Sequence, residues 1–283
     1  MRDLTPARPA PWAALGVLGL LAAVAGLTSL LAPDPHLQDL MGSLQAPDVR
    51  HWLGTDHLGR DQLARLGEGL RTSVGLALAS AALAVAVGTA AGLLAALRGG
   101  LTDRALCLLA DAVAAIPGLL WVLLLAALAP GEKWAIYGGL VLTAWVEFFR
   151  LMRARARSAL TGPPVQAARL LGFGPGYILH WHVLRPAAAL LARLWVYAVA
   201  TAVLAVAALG FISVGLRPPQ AELGLLMTEA LPYWQDAPWL LAAPVLALIL
   251  VLGALQALTG PRTTDPAPAP APAPDAAAQE SAA

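Results

Sequence analysis

Charge is scarce in this chain. Only 12% of its 283 residues are Asp, Glu, Lys or Arg, about half of what a soluble domain carries. That scarcity, combined with long uncharged runs, excludes an ordinary soluble globule and points to a polytopic membrane protein. The net charge is +1, so no broad electrostatic field favours nucleic acid. Cysteine is almost missing. Cys107 stands alone, which excludes an intrachain disulfide framework and a multi-cysteine metal site. Its apolar surroundings predict a buried, inert thiol. Lysine is almost missing too. Lys133 lies in Gly131-Glu132-Lys133-Trp134, without the Gly-x-x-x-x-Gly-Lys-Ser/Thr pattern of a phosphate loop, so the chain carries no Walker-type ATP site. Ser80 and Ser158 have no His and acid at recognisable spacing, and no enzymatic activity is expected.

What is present is apolar sequence in pieces long enough to cross a bilayer. Segments 12–32, 72–97, 194–216 and 237–259 carry no charge; 105–129 carries only Asp111, and the shorter 134–149 only Glu147. A spanning helix needs about 20 such residues, so an all-α bundle of six membrane helices is expected. The runs are rich in Ala, Leu, Val and Gly, which suits close packing through small residues. The first run exceeds the 7–15 residues, roughly, of a signal-peptide core, and it is read as an uncleaved helix.

Basic residues set the orientation. With the N-terminus inside, inner segments hold 12 Lys and Arg and outer segments hold 6. Seven of the twelve follow the fourth span, from Arg150 to Arg193. Both termini are therefore expected in the cytoplasm, in a multi-pass protein of the cytoplasmic (inner) membrane. The expected organisation is a cytoplasmic N-terminus (1–11), a first helix (12–32) and an external loop with a short amphipathic helix (33–71). A core of five helices follows (72–259), with a cytoplasmic loop at 150–187. Residues 260–283 are rich in Ala and Pro and are expected to form a disordered cytoplasmic tail.

Several side chains invite a functional reading. Acids inside spans are functional candidates by default, so Asp111 and Glu147 could line a path. Each also has a local alternative: Arg104 lies two turns before Asp111, and Arg150 lies at i+3 from Glu147. A proton-coupled secondary transporter could use both acids, but it should carry inverted repeats with matching broken helices, and no such internal symmetry is visible. An intramembrane enzyme would need further convergent residues. The pairs His51/His57 and His180/His182 lack additional ligands at metal spacing. Near the fifth span, Pro163 and Pro164 can start a helix, Val165, Ala168 and Leu171 can form one face, and Gly172 can end it with positive φ. This predicts a two-turn helix over 164–172 on the Arg-rich side.

The stretch His51-Trp52-Leu53-Gly54-Thr55-Asp56-His57-Leu58-Gly59-Arg60-Asp61-Gln62-Leu63-Ala64-Arg65-Leu66 has turn-forming glycines, with Asp56 as an expected helix cap and Asp61/Arg65 as an i,i+4 pair. As a string it resembles the signature of the dipeptide/oligopeptide and nickel ABC importer permeases, in the second of their two permease subunits. Its matching positions are Gly54, Thr55, Asp56, Gly59, Arg60, Asp61 and Arg65. Further segments are similar in the same order: Arg98-Gly99-Gly100-Leu101-Thr102-Asp103-Arg104, Asp111 through Ile116-Pro117-Gly118, and Leu209-Gly210-Phe211-Ile212-Ser213-Val214-Gly215-Leu216-Arg217-Pro218-Pro219. The resemblance covers about His51 to Arg262.

The resemblance implies a type I, binding-protein-dependent permease fold. It implies a non-enzymatic subunit that works with a homologous permease, two ATPases holding ATP and Mg²⁺, and an extracytoplasmic substrate-binding protein. No cofactor or metal would be bound by this chain, its solvent would be the lipid bilayer, and nucleic acid would be no partner. The implied cargo is a di- or oligopeptide, with nickel or another small solute as the alternative. The family's Glu-Ala-Ala-x-x-x-Gly loop, by which such permeases engage their ATPase, corresponds to Gln166, Ala167, Ala168 and Gly172, with His182, Leu184 and Pro186 beyond it. Here Gln166 replaces the family's Glu, the closing proline is displaced by one position, and Leu223 stands in place of a Trp.

Overall fold

In the computed structural model, which describes residues 11–259, ten α-helices account for nearly all regular structure. Helix α1 (Pro11–Leu31) is followed by a long loop, α2 (Gln62–Arg98), α3 (Gly100–Ala114), α4 (Gly118–Leu128) and α5 (Lys133–Thr161). Then come α6 (Pro163–Leu170), α7 (Pro175–Ile178), α8 (Arg185–Phe211), α9 (Leu223–Ala230) and α10 (Pro238–Thr259). A π-helical turn, Leu179–Leu184, joins α7 to α8. Five helical segments are long and apolar enough to cross a membrane, the fourth being α7, the π turn and α8 together, and six if α3 and α4, which meet at a 79° bend, are counted as one span. The readings of 1–10 and of the 260–283 tail lie outside the described residues.

Four expectations about the elements change. The external loop holds no separate amphipathic helix: the helix that starts at Gln62 continues unbroken to Arg98. Its 37 residues measure roughly 55 Å, well beyond the ~30 Å hydrocarbon core, so the helix is longer than one crossing requires. The third span is bent at Ala115–Pro117, where Pro117 cannot continue a helix that runs through its missing N–H. The fourth span does not stop at Phe149 but runs to Thr161, and so the 150–187 segment is mostly helix rather than loop. Cys107 is half-buried, not buried, with Sγ 3.9 Å from Asp103 Oδ1.

The helices meet where side chains are smallest. Gly88 and Gly92, four residues apart on α2, lie directly against α5: a Cβ at Gly88 would be 2.6 Å from Phe148 Cβ, and one at Gly92 would be 2.6 Å from the Phe149 carbonyl oxygen. This is the small-x-x-x-small geometry that lets membrane helices approach backbone to backbone. Phe148, Phe149 and Met152 are fully enclosed by that seam. At the end of the bundle where α2 begins, Glu222 caps α9 by accepting from the N–H groups of Gly224 and Leu225, both at 3.0 Å, while Ser73 of α2 donates to it at 3.0 Å. α1 packs on the rim against α10 and α2 and leaves Leu15, Leu20, Leu27 and Leu30 outward.

Candidate functional site

Three features carry functional candidates, and they occupy three different levels of the bundle. The first is α6. Gly162 turns the chain out of α5, and Pro163 and Pro164 occupy the first turn, where a missing N–H breaks no helical bond. Val165 and Ala168 face inward onto Ile178 and Leu160. Leu171, expected on that face, points out instead and is 75% exposed, and Leu170 is 90% exposed. The helix ends in a Schellman turn. Gly172 has φ +80, its N–H donates to Arg169 at 3.0 Å, and the N–H of Phe173 donates to Ala168 at 3.0 Å. The Gln166 amide turns back to donate to the Thr161 carbonyl at 3.1 Å, fastening the junction of α5 and α6.

Beyond α6 the chain builds an aromatic ladder that the sequence reading did not anticipate. Phe173 and Tyr177 stack at 4.4 Å between ring centroids, Trp181 follows, and Arg185 lies 4.4 Å over the Trp181 ring. All four are exposed. His182 and Leu184 are half-buried, Leu184 against the Met152–Ala187 cluster, and Pro186 is exposed in the first turn of α8. The π turn falls where Pro186 has no N–H for the His182 carbonyl and its ring would press on it; a wider turn relieves both.

The second feature is the polar knot formed by the His51–Leu66 motif. Gly54 and Gly59 have φ of +70 and +73, and both are pressed against loop backbone, so a side chain fits neither. Thr55 accepts from the Gln45 N–H at 2.9 Å and forms a bridge with Asp61. Asp61, not Asp56, caps α2, through the Ala64 N–H at 2.7 Å, and its other oxygen meets His51 Nδ1 at 2.9 Å. It therefore does not pair with Arg65. Asp56 accepts from the N–H groups of Leu58 and Arg60, from Arg60 Nε at 2.6 Å, and from Arg65 Nη1 at 2.8 Å. The same Arg65 nitrogen lies 2.7 Å from Glu229 of α9, a charge contact whose angle falls short of a hydrogen bond. The knot thus ties the α1–α2 loop, α2 and α9 together.

Burial alone would raise the Asp56 carboxyl, but the Arg60 N–H and the Arg65 and Arg60 guanidiniums outweigh it and hold its pKa below the usual aspartate value. A carboxyl depressed in the folded state stabilises the fold above its unfolded pKa, and that stability disappears as pH falls through the lower folded value. The polar knot should therefore contribute fully at pH 5–8 and weaken only below about pH 4. Thermal unfolding of the purified protein against pH tests this: Asp56→Asn should be less stable at pH 7 and should lose the part of the acid transition that Asp56 supplies.

The third feature is a cavity of about 710 Å³ in the angle of the α3–α4 bend, walled by α2, α5 and α8. Glu147 and Arg150 line it. The expected local pairs are not formed: Arg150 reaches across to Asp111 at 2.8 Å instead of pairing with Glu147, and Arg104 does not pair with Asp111. Nearby, Asp103 of α3 accepts from Arg153 and from Arg157 of α5, the latter at 2.6 Å. Among the described residues no group of three or more His, Cys, Asp or Glu is placed to hold a metal.

Known proteins share this layout at the level of sequence. The family described as binding-protein-dependent transport system inner membrane component matches residues 88–265. The oligopeptide transport system permease protein OppC of Bacillus subtilis is 30% identical over 236 residues, covering 81% of this chain and 77% of the relative. The nickel transport system permease protein NikC of Escherichia coli K12 is 33% identical over 248 residues, covering 86% and 88%. A Brucella suis protein, provisionally named a peptide permease, is 32% identical over 239 residues, covering 84% and 79%.

Proposed function

This chain belongs to the family of binding-protein-dependent transport system inner membrane components, as a permease of the peptide and nickel ABC importers, and we propose how it works within such an importer. α6 is the element that meets an ATPase. The observation that carries this is its geometry: a short capped helix at the end of α5, on the Arg-rich side, with Leu170 and Leu171 turned outward. Two apolar side chains exposed at 90% and 75%, continued by the exposed rings of Phe173, Tyr177 and Trp181, suit a protein groove. The partners would be a second, homologous permease, two ATPases that bind and hydrolyse ATP, and an extracytoplasmic binding protein. Both termini would lie in the cytoplasm, as the 12-to-6 distribution of basic residues supports.

The cavity at the α3–α4 bend would be this chain's share of the path, opened and closed by alternating access. The cargo is a di- or oligopeptide, by similarity to the peptide permeases; a nickel cargo is the second reading, favoured by the similarity to NikC.

Position-specific cross-linking tests the coupling role in a Cys107→Ser background. Leu170→Cys should cross-link to an ATPase subunit in the assembled importer, whereas Ala168→Cys, 5% exposed, should not. Labelling of Leu170→Cys only from outside the cell would overturn both the topology and the role.

A further inference from the structure

The cavity at the bend is apolar except for a handful of side chains, and these share one chemical character. Ser80 donates its hydroxyl to the Ala77 carbonyl at 3.0 Å, Thr143 to Gly139 and Leu140 at 3.1 Å each, and Thr201 to Tyr197 at 2.6 Å. Each hydroxyl hydrogen is thus taken up by its own helix, and what each can offer the cavity is an acceptor oxygen. Arg150, the cation in the lining, is held by Asp111 at 2.8 Å. Glu147 differs from all of these. It lies on the exposed face of α5, lines the cavity, and has no ion pair or side-chain hydrogen bond among the described residues. Neither local geometry nor Arg150 neutralises it. A carboxylate with unused acceptors, beside three hydroxyls that also offer acceptors and with the cation of the wall already engaged by Asp111, complements a ligand that brings positive charge and donors.

We propose that Glu147 is a cation-recognition residue of the transport path, receiving the positively charged group of the cargo as it crosses the cavity. Two cargo groups share that chemistry: the terminal ammonium of a peptide and a divalent metal ion. A cation entering an apolar cavity loses hydration, and a carboxylate in the wall replaces part of it. This inference rests on the permease reading above and adds to it a residue and a charge rule.

The test uses the complete importer in liposomes, with saturating loaded binding protein, and two probes: dialanine and Ni²⁺. Glu147→Gln should lower the ATP-driven uptake rate of the transported probe about tenfold, the scale of one charge-assisted hydrogen bond. Glu147→Asp, which keeps the charge, should retain at least half of the rate. The probes separate the two sources. For dialanine the wild-type advantage over Glu147→Gln should shrink as pH rises from 7 to 9, because the peptide ammonium loses its proton near pH 8. For Ni²⁺ the advantage should be the same at both pH values. Equal rates for wild type and Glu147→Gln overturn the proposal, as does an Asp variant as slow as the Gln variant. Loss of the second permease on co-purification of Glu147→Gln also overturns it, by assigning the residue to the subunit interface. Absence of uptake of either probe by the wild-type importer would instead overturn the reading of the cargo on which the inference rests.

Discussion

Arg65→Ala should be the most damaging single side-chain truncation outside the membrane core. Arg65 is 1% exposed and reaches both Asp56 and Glu229. Removing it leaves two carboxylates in an enclosed site with only Arg60, which is 2.6 Å from Asp56 but 3.5 Å from Glu229. Breaking a buried pair by deleting one partner destabilises by about 3–5 kcal/mol, because the remaining charge is stranded. For a chain of this size that corresponds to a fall in Tm on the order of 10 °C. Differential scanning fluorimetry in detergent would register it. Arg50, exposed in the same loop, supplies the comparison: its truncation should change stability by no more than about 0.5 kcal/mol. A Tm for Arg65→Ala within 1–2 °C, roughly, of wild type would mean that the knot is not a folding element.

A second large effect is expected from Gly92→Leu. The glycine has no room for even a Cβ, with Phe149 oxygen at 2.6 Å and Arg153 nitrogen at 2.9 Å from that position. The atoms in the way are backbone, so no rotamer change removes the clash, and α2 and α5 must separate. Overpacking of this kind costs about 3 kcal/mol. Uptake should fall by more than stability does, because α5 carries both the cavity wall and α6. Gly75, on the same helix, has nothing within 4 Å of its would-be Cβ. Gly75→Ala should be neutral or stabilise by up to about 1 kcal/mol through helix propensity. Uptake and thermal stability of the two variants, measured side by side, decide whether the seam or glycine content in general matters.

The apolar runs made the spans legible, because a bilayer imposes a length that composition reports directly. Boundaries were harder, for a physical reason that Gln62–Arg71 and Arg150–Thr161 both illustrate. There the helix continues beyond the apolar core, and polar residues inside it are satisfied by partners remote in sequence. Gln62 donates to the Leu240 carbonyl at 3.1 Å, and Arg153 and Arg157 close on Asp103. Periodicity cannot find such partners. The same limit explains Arg150, whose neighbour Glu147 was in reach by spacing but whose real partner is Asp111, 39 residues away. The α6 segment was more legible, since Pro163, Pro164 and Gly172 act on the backbone locally. Leu171 was misplaced because the Schellman turn takes it off the helical face. The members of the Phe173–Arg185 ladder recur every four residues, a helical spacing, but Gly174-Pro175 and Pro186 interrupt the stretch, and the turn, α7, π turn and α8 that carry them do not read as one helix.

The length of α5 has a mechanical consequence. Its 29 residues make a rod of about 43 Å, approached most closely near Phe149 by the glycines of α2, with Val122 of α4 against Gly139 on one side and Asp103 of α3 holding Arg153 and Arg157 on the other. Thr161, where α6 begins, lies roughly 18 Å beyond Phe149, and Lys133 roughly 24 Å on the other side. A rocking motion of about 10° about that point would carry the α6 end through about 3 Å and the far end through about 4 Å in the opposite sense, from the helix rise alone. Such rocking would make the helix a lever with its fulcrum in the glycine seam. A short stroke at one end becomes a reversed and slightly larger stroke at the other, with no need for a chain of intermediate contacts.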